Sequence, residues 1–478
     1  KIDIEKIPLD DKKTFEMLAR GETEGTFQLG GTAITKFLVE LKPTTIHDIN
    51  AMVALFRPGP MRNIPEYIAR KHGISPIKYY HPKMKSFLEK SYGILVYQDD
   101  LLYTALELAG YTWETVDKFR KAVGKKIPEE MAKQHVIFVE GCIKHSAMSK
   151  KEAEGLWELF EPFQGYGFNK AHAACYGRVA YQTAYMKANY PAEYMAAVLT
   201  ADSGDLDKIA EIIVECKRMG FQIMPPDVNE SFSGFTVVKN SNKIRFGLGS
   251  IKNFGEEIGK AIIHERKEHG NYKSYTDFLI RIQHKNLTKK SLEALIMAGT
   301  LDSLGERGEM LGNIEEALVF NRSLATNESN QTSLFGQETF TPKFNFKSAS
   351  SASLGDKLKW EKELLGLYVS GHPLETYKDK FDKHDQTIAI IKKMQSGSSV
   401  LAAGLLDNIK IIFTKNDGNK MMFCRLEDFT DSIELVVFPD TYAELKNVLL
   451  ANECIAIRGT VSHRNGSPSI VVEKAKKL

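Results

Sequence analysis

The spacing of apolar side chains changes along the chain, and this change limits the possible folds more than any other feature. In residues 1–224 apolar side chains recur every three to four positions, which is typical of amphipathic helices. Pro225 and Pro226 end this stretch, because proline lacks a backbone N–H and clashes with a preceding helical turn. From residue 399 apolar and polar side chains alternate, which indicates strands. The sequence therefore predicts a multidomain α+β protein.

Residues 399–478 have the element order of a small barrel. A tight hairpin is predicted at Asn416-Asp417-Gly418, because Asp-Gly is a strong turn signal between strands. Five strands with a helix after the third is the order of an OB-fold. The predicted strands lie near 400–413, 420–427, 432–438, 453–461 and 469–474, with the helix at 441–445.

Three further segments connect the helical region to the barrel. Residues 225–320 combine short alternating runs with helical stretches near 256–268 and 288–298. Residues 321–355 are rich in Ser, Thr, Asn and Gln, a composition that buries too little apolar surface to fold alone, so we interpret them as a linker. Residues 356–398 are predicted to form a helical bridge.

Composition excludes several classes of protein. The chain has 64 Lys and Arg against 61 Asp and Glu, so any nucleic-acid site must be local rather than a uniformly basic surface. No apolar run approaches the ~20 residues that span a bilayer, so no membrane partner is expected. The five cysteines are scattered, which argues against a structural zinc site and a secreted disulfide framework and favours the cytoplasm.

One acidic pair has the spacing of a metal site without its context. Asp205 and Asp207 follow Ser203-Gly204 at a predicted helix start. Acidic side chains there cap the helix and favour its dipole, so we predict a cap and assign no metal ligand in this chain.

Two segments of the helical region have candidate binding residues. Lys118–Lys126 concentrates positive charge near a helix end; it is either a phosphate site or an ordinary solvated basic face. Gly165–His172 alternates glycines with aromatics before Asn169, Lys170 and His172. This segment either presents donors to an anion at a helix N-terminus or packs its rings into the core, and the residues leave the choice open.

Two segments farther along the chain are candidates for binding macromolecules. Lys252, Asn253, Phe254 and Gly255 precede a helix in the pattern of a helix–hairpin–helix, whose backbone N–H groups bind duplex phosphates. Asn253 stands where glycine is usual and tolerates left-handed geometry; an ordinary helical hairpin is the alternative. In the linker, Gln331-Thr332-Ser333-Leu334-Phe335 is either a docking peptide or a chance apolar pair.

These segments together resemble the alpha subunits of bacterial DNA polymerase III, the C-family replicative polymerases. Gly30-Gly31 departs from the family, which usually has an acidic residue and Ser there. The matching strings are Phe27–Leu29, Ala54–Pro60, Tyr92–Gln98, Gly124–Lys126, Gly165–Lys170, Tyr190–Met195, Leu199–Asp202 and Gly366–Tyr368.

The resemblance implies a role for each region. Residues 1–224 would be the fingers, 225–320 a duplex-binding domain, 331–335 a motif that binds the sliding clamp, and 399–478 a domain for single-stranded template. The implied nucleotide-binding residues are Arg120, Lys121, Asn169, Lys170 and His172. The implied DNA-binding residues are Lys252, Asn253, Phe254, Gly255, Lys260, Phe413, Lys415, Lys420 and Phe423, and the implied clamp-binding residues are Gln331, Leu334 and Phe335.

The family also implies a part that this sequence lacks. Nucleotidyl transfer needs carboxylates that hold metal ions, and in the family those aspartates lie in a palm upstream of the first matching string. We therefore expect a carboxy-terminal portion of a DNA-directed DNA polymerase that is inactive alone, its Mg²⁺ being bound by the absent palm. The expected partners are primer–template DNA, dNTP, the sliding clamp and other replicase subunits. A non-catalytic DNA-binding and clamp-tethering scaffold is the alternative, and an RNA-binding accessory of a synthetase is a weaker one.

Overall fold

The computed structural model describes residues 2–125, 128–160, 168–327, 342–382, 386–414, 418–463 and 467–478. They form two compact units. One unit comprises Lys1–Met224 and Gly234–Gly247, and the other comprises Pro225–Ser233 and Leu248–Leu478. Within these described ranges, no helix is both long enough and apolar enough to cross a membrane.

The first unit is mainly helical, as the spacing of its apolar residues predicts. The predicted helix start at Asp205 is confirmed, because Asp205 accepts a hydrogen bond from the Lys208 N–H (3.1 Å). Asp11 caps another helix in the same way and accepts from the Thr14 N–H (2.9 Å). The helices are α1 (Lys12–Ala19), α2 (Thr32–Leu41), α3 (Ile46–Leu55), α4 (Ile64–Lys71), α5 (Lys85–Leu88), α6 (Gln98–Ala109), α7 (Trp113–Lys125), α8 (Pro128–Ser146), α9 (Lys150–Glu158), α10 (Lys170–Asn189), α11 (Pro191–Ala201) and α12 (Leu206–Arg218).

Two hydrophobic cores organise this unit. The first core is formed mainly by α1–α4 and α10. Here α10 lies against α3 at Gly177, where a Cβ atom would overlap the side-chain oxygen of Asn50. The second core is formed mainly by α6–α9, with Phe119 and Phe138 fully buried in it. A small sheet of β1 (Gln222–Met224), β2 (Thr236–Val237) and β3 (Lys243–Arg245), in the order β1-β3-β2, belongs to the same unit.

The second unit begins with a helical part. The helices expected near 256–268 and 288–298 are confirmed, but the helix end expected before the hairpin is a short 3-10 turn, Leu248–Ser250. Gly247 and Gly249 flank its first residue, and glycine is a poor helix former because it loses the most backbone entropy. The helices are α13 (Glu256–His269), α14 (Tyr275–Arg281), α15 (Lys289–Met297), α16 (Arg307–Gly312), α17 (Ile314–Asn327), α18 (Leu354–Leu365), α19 (Lys378–Phe381) and α20 (Ile388–Ile391).

Part of the segment predicted as a linker packs onto these helices. The ring of Phe344 is buried, with its centroid 5.9 Å from that of Tyr275, and Phe346 lies 5.6 Å from the same ring. The Lys347 N–H donates to the Asn313 side chain at 2.7 Å. Two phenylalanines thus supply the apolar contacts that the polar composition of the segment did not predict.

The remainder of the second unit is a closed five-stranded barrel. Its strand order is β4-β5-β6-β8-β7, and β4 pairs with β7 to close it. This order, with the helix after the third strand, confirms the predicted OB-fold. The elements are β4 (Ser399–Phe413), β5 (Lys420–Glu427), β6 (Ser432–Val437), α21 (Pro439–Leu445), β7 (Cys454–Ser462) and β8 (Ser469–Lys477).

Candidate nucleic-acid interface

The first candidate residues lie at the N-terminus of α10. Asn169 is the cap of this helix, because its side-chain oxygen accepts a hydrogen bond from the His172 N–H at 3.0 Å. The Lys170 N–H donates to Asp99 Oδ2 at 2.8 Å. Some donors of this helix end are therefore bound within the protein, while the side chains of Lys170 and His172 are exposed. Gly165, Tyr166 and Gly167 lie outside the described residues.

A row of aromatic rings continues from this helix end along α10. Phe168, His172 and Tyr176 are spaced four residues apart, and their ring centroids are separated by 5.1 and 4.2 Å. The Phe27 ring extends the row, 5.5 Å from Tyr176, and the Arg57 guanidinium lies 4.2 Å from the Phe168 ring centroid. Neither Phe27 nor Arg57 was predicted as a site residue, although both belong to the strings that matched the family.

The Lys170 side chain lies next to the N-terminus of α6. The Lys170 ammonium lies 5.6 Å from the Tyr97 ring centroid. Asp100 is buried next to it and accepts hydrogen bonds from the N–H groups of Val96 and Tyr97, both at 2.9 Å. Burial raises the pKa of the Asp100 carboxyl to about 6. The N-terminus of α6, next to Lys170, thus contains a buried carboxyl group whose surroundings disfavour its charged form.

Arg120 and Lys121 are on α7, against the second core, whereas the aromatic row lies against the first. Both cations bind Asp117 of the same helix: Arg120 Nη2 is 2.6 Å and Lys121 Nζ 2.8 Å from its carboxylate. These hydrogen bonds, from Lys121 and Arg120, lower the pKa of Asp117. The two cations are solvent-accessible and held together, with a net charge of +1 when Asp117 is included. Among the described contacts, none joins them to α10.

The hairpin before α13 has the predicted backbone geometry. Asn253 has a φ of 67°, the left-handed conformation expected of it. The N–H groups of Lys252 and Phe254 donate to Leu364 and Ile251 carbonyls at 3.0 and 3.2 Å. Those of Asn253 and Gly255 have no acceptor within the described chain, and the first N–H groups of any helix lack intrahelical partners. The hairpin thus retains donors for an anion.

The side chains at this hairpin are less available for binding DNA than their residue types predicted. Phe254 is only 9% exposed and packs against the position of Gly259, and its N–H already donates to Ile251, so neither its ring nor its backbone donor is available to DNA. Lys260 binds Glu256 at 2.8 Å and Glu257 at 3.2 Å, all on the exposed side of α13. Hydrogen bonds to Glu256 and Glu257 raise the pKa of Lys260. A phosphate must therefore compete with two carboxylates for this lysine.

The barrel has an exposed arm where β4 and β5 meet. Phe413 is 64% exposed, and the Lys420 ammonium opposite it lies 5.9 Å from its ring centroid. Phe423 is half-buried and points outward, because its neighbours Met422 and Cys424 face the barrel core. Lys415 lies outside the described residues, as do the predicted clamp-binding residues Gln331, Leu334 and Phe335, whose roles stay predictions.

Three family models match the chain. Residues 1–146 match the bacterial DNA polymerase III alpha subunit finger domain, residues 220–310 a helix–hairpin–helix motif, and residues 389–478 an OB-fold nucleic acid binding domain. The last two are the regions that hold the hairpin and the exposed arm. The helix–hairpin–helix and OB-fold models thus match the parts of the chain where the structure has the left-handed hairpin and the closed barrel.

Curated relatives match nearly the whole chain. It is 39% identical to the DNA polymerase III subunit alpha of Borreliella burgdorferi, over 99% of this chain and 42% of that protein. The subunits of Thermus aquaticus and Bacillus subtilis are 40% and 37% identical, over 92% and 100% of this chain and 36% and 42% of their own lengths. The chain spans less than half the length of these relatives.

Proposed function

Because this chain belongs to the family of bacterial DNA polymerase III alpha subunits, we propose that it positions primer–template DNA and incoming dNTP in a replicative DNA polymerase. The observation that carries the proposal is the head of α10. There the Lys170 ammonium and the Arg57 guanidinium lie beside a row of aromatic rings that includes His172, so cations for phosphates and flat surfaces for bases are next to each other. Such a pairing is what single strands and nucleotides require.

The first test is binding to primer–template DNA by the isolated chain. We expect fluorescence anisotropy to report an affinity for labelled primer–template that falls with salt, because phosphate contacts release counterions. Transfer RNA should compete less well than primed DNA. Equal or stronger binding of transfer RNA would favour the RNA-binding alternative and contradict the proposal.

The second test concerns catalysis. We propose that the carboxylates that hold Mg²⁺ belong to a part of the alpha subunit outside this chain, as the resemblance to the family implies. The isolated chain should bind primed DNA and not extend it. Extension by the isolated chain would contradict this assignment, and absence of extension by a longer polypeptide with the palm would favour the scaffold.

The third test assigns nucleotide contacts on α7. Within a polymerase that includes this chain, Arg120→Ala should raise the KM for dNTP about 10- to 100-fold, the effect of one lost charged hydrogen bond. Lys118→Ala is the matched control, since Lys118 is an exposed lysine of the same helix. Equal effects of the two substitutions would remove Arg120 from the nucleotide site.

The fourth test concerns the exposed arm and the clamp motif. Phe413→Ala should weaken binding of an oligothymidylate by about 1–3 kcal/mol, the value of one base–aromatic stack. Phe438→Ala, which removes another exposed ring of the barrel, should not. Replacing Leu334 and Phe335 by Ala should abolish binding to a sliding clamp in a pull-down, and unchanged binding would reduce that segment to a chance apolar pair.

A further inference from the structure

We propose that three rings on the second core of the first unit, Phe87, Tyr103 and Trp113, form a shelf on which bases of the unpaired template stack. We call them the aromatic shelf. They come from α5, α6 and α7, and neither the sequence patterns nor the family strings singled them out. The inference rests on the proposed function, because it assigns a path to the single strand that the polymerase would copy.

The three rings form one continuous surface. The Phe87 and Tyr103 centroids are 5.8 Å apart with their planes at 30°, and Trp113 meets Tyr103 edge-on at 6.2 Å. Tyr103 is 38% exposed and Trp113 is 68% exposed. The outer ring thus leaves most of its area open to a flat ligand.

Two of these rings, Tyr103 and Trp113, are not needed to fill the core below them, although Phe87 packs against it. That core already holds a separate cluster of rings around Phe119, with Phe138, Trp157 and Phe160 within 6.1 Å of it. Trp113 and Tyr103 are not among the side chains of that core. Exposed aromatic rings in a contiguous patch commonly mark an interaction site rather than a packing role.

Positive charge lies on the same side of α7 as the shelf. Trp113, Asp117 and Lys121 are four residues apart, so they share one face of the helix. At 1.5 Å per residue the pair Arg120 and Lys121 is about 11 Å beyond Trp113. That is on the order of three nucleotides at the ~3.4 Å spacing of one stacked strand. Rings followed by cations at this distance suit bases and then phosphates.

The shelf is also connected to the head of α10. Asp99, which accepts the Lys170 N–H at 2.8 Å, lies one turn before Tyr103 on α6. The same helix thus bears both the Tyr103 ring and the carboxylate that binds the N-terminus of α10. This connection, with Arg120 and Lys121 two turns beyond Trp113 on the same face of α7, selects single-stranded DNA over a protein partner as the occupant.

The experiment compares the whole chain with Trp113→Ala, using a 12-residue oligothymidylate and two hairpin duplexes, one blunt and one with a single-stranded 5′ extension. We expect Trp113→Ala to weaken oligothymidylate binding about 5- to 100-fold, the value of one base–aromatic stack. The preference for the extended hairpin over the blunt one should fall by the same factor. Binding of the blunt hairpin should not change.

Two further variants separate stacking from folding. Trp113→Phe keeps a ring and should restore most of the affinity, whereas Trp360→Ala removes a tryptophan of the other unit and should leave the affinity unchanged. If Trp113→Ala left the affinity for oligothymidylate unchanged, the proposed aromatic shelf would be contradicted, whether this surface binds a protein or has no ligand. Failure of the unsubstituted chain to bind the extended hairpin would instead overturn the proposed function itself.

Discussion

The substitution Asp100→Asn should remove one contribution to the pH dependence of the first unit's free energy of unfolding. Asp100 is buried, and its Oδ2 accepts the N–H groups of Val96 and Tyr97 at 2.9 Å each. Its Oδ1 is also buried and has no hydrogen-bond partner within the described residues. Because one carboxylate oxygen lacks any donor, burial outweighs the two backbone hydrogen bonds and raises the pKa to about 6, from an ordinary value of 3.8.

The sign and size of the change in the free energy of unfolding follow from the difference between these two pKa values. Between pH 4 and pH 6 the folded chain keeps a proton on Asp100 that the unfolded chain releases, so the free energy of unfolding falls as the pH rises. Each pKa unit corresponds to about 1.4 kcal/mol, so ionised Asp100 destabilises the fold by about 3 kcal/mol at pH 7. Asparagine cannot ionise and keeps an acceptor for the two N–H groups. Relative to the unsubstituted chain, the variant should gain about 3 kcal/mol between pH 4 and pH 7.

Urea unfolding at several pH values measures this change. The chain has two units, so a Trp360→Phe background confines the fluorescence signal to Trp113 and Trp157, which both lie in the first unit. Comparing the variant at two pH values cancels the constant cost of burying the new amide. Asp117→Asn gives a control of opposite sign, because hydrogen bonds from Lys121 and Arg120 lower the pKa of Asp117. If the difference in unfolding free energy between the Asp100→Asn variant and the unsubstituted chain did not vary with pH, the reasoning would be refuted.

Two buried ion pairs give further predictions for the same unfolding assay. Lys187→Met should lower the free energy of unfolding by about 1–3 kcal/mol, because it removes the buried ammonium 2.6 Å from Glu215 while Arg218 still binds that carboxylate. Lys208→Met, at an exposed pair, should cost less than about 1 kcal/mol, and an equal cost would contradict the argument from burial. Glu361→Ala should cost about 3–5 kcal/mol, since Arg307 is 2.8 Å away and both side chains are buried; a cost below about 1 kcal/mol would contradict it. This pair lies in the second unit, so its unfolding is followed by the fluorescence of Trp360 in a chain whose Trp113 and Trp157 are replaced by phenylalanine.

The barrel was predictable from the sequence because its signals are local. The strands β5, β6 and β7 alternate between core and solvent over their whole length. The turn predicted at Asn416-Asp417-Gly418 falls between β4 and β5, and Asn416 and Asp417 lie outside the described residues. The end of β8 was missed: the strand continues to Lys477, past the predicted end at 474, because its last residues are mostly lysines that do not alternate with apolar side chains. The pairing of those lysines with β7 comes from backbone hydrogen bonds, which side-chain patterns do not report.

The candidate site was less predictable, because the environment of each side chain depends on residues distant in sequence. The hairpin conformation at Asn253 follows from the local residue types, whereas the burial of Phe254 depends on Gly259, one turn into α13. The position of Phe27 beside Tyr176 is a contact between segments far apart in the chain, and no spacing rule could have found it.

The near-neutral charge balance of the whole chain is repeated at the candidate sites, where basic side chains are paired with acidic ones. Arg120 and Lys121 share Asp117, and Lys260 is held by Glu256 and Glu257 of its own helix. A phosphate at either place must displace or accommodate carboxylates, which reduces the gain from each cation. Rings carry no such competition, since a base gains the same stacking whatever acids surround the nearest lysine. Under the proposed function, the exposed rings should therefore contribute most of the affinity for single strands, with the paired cations setting the path of the phosphates.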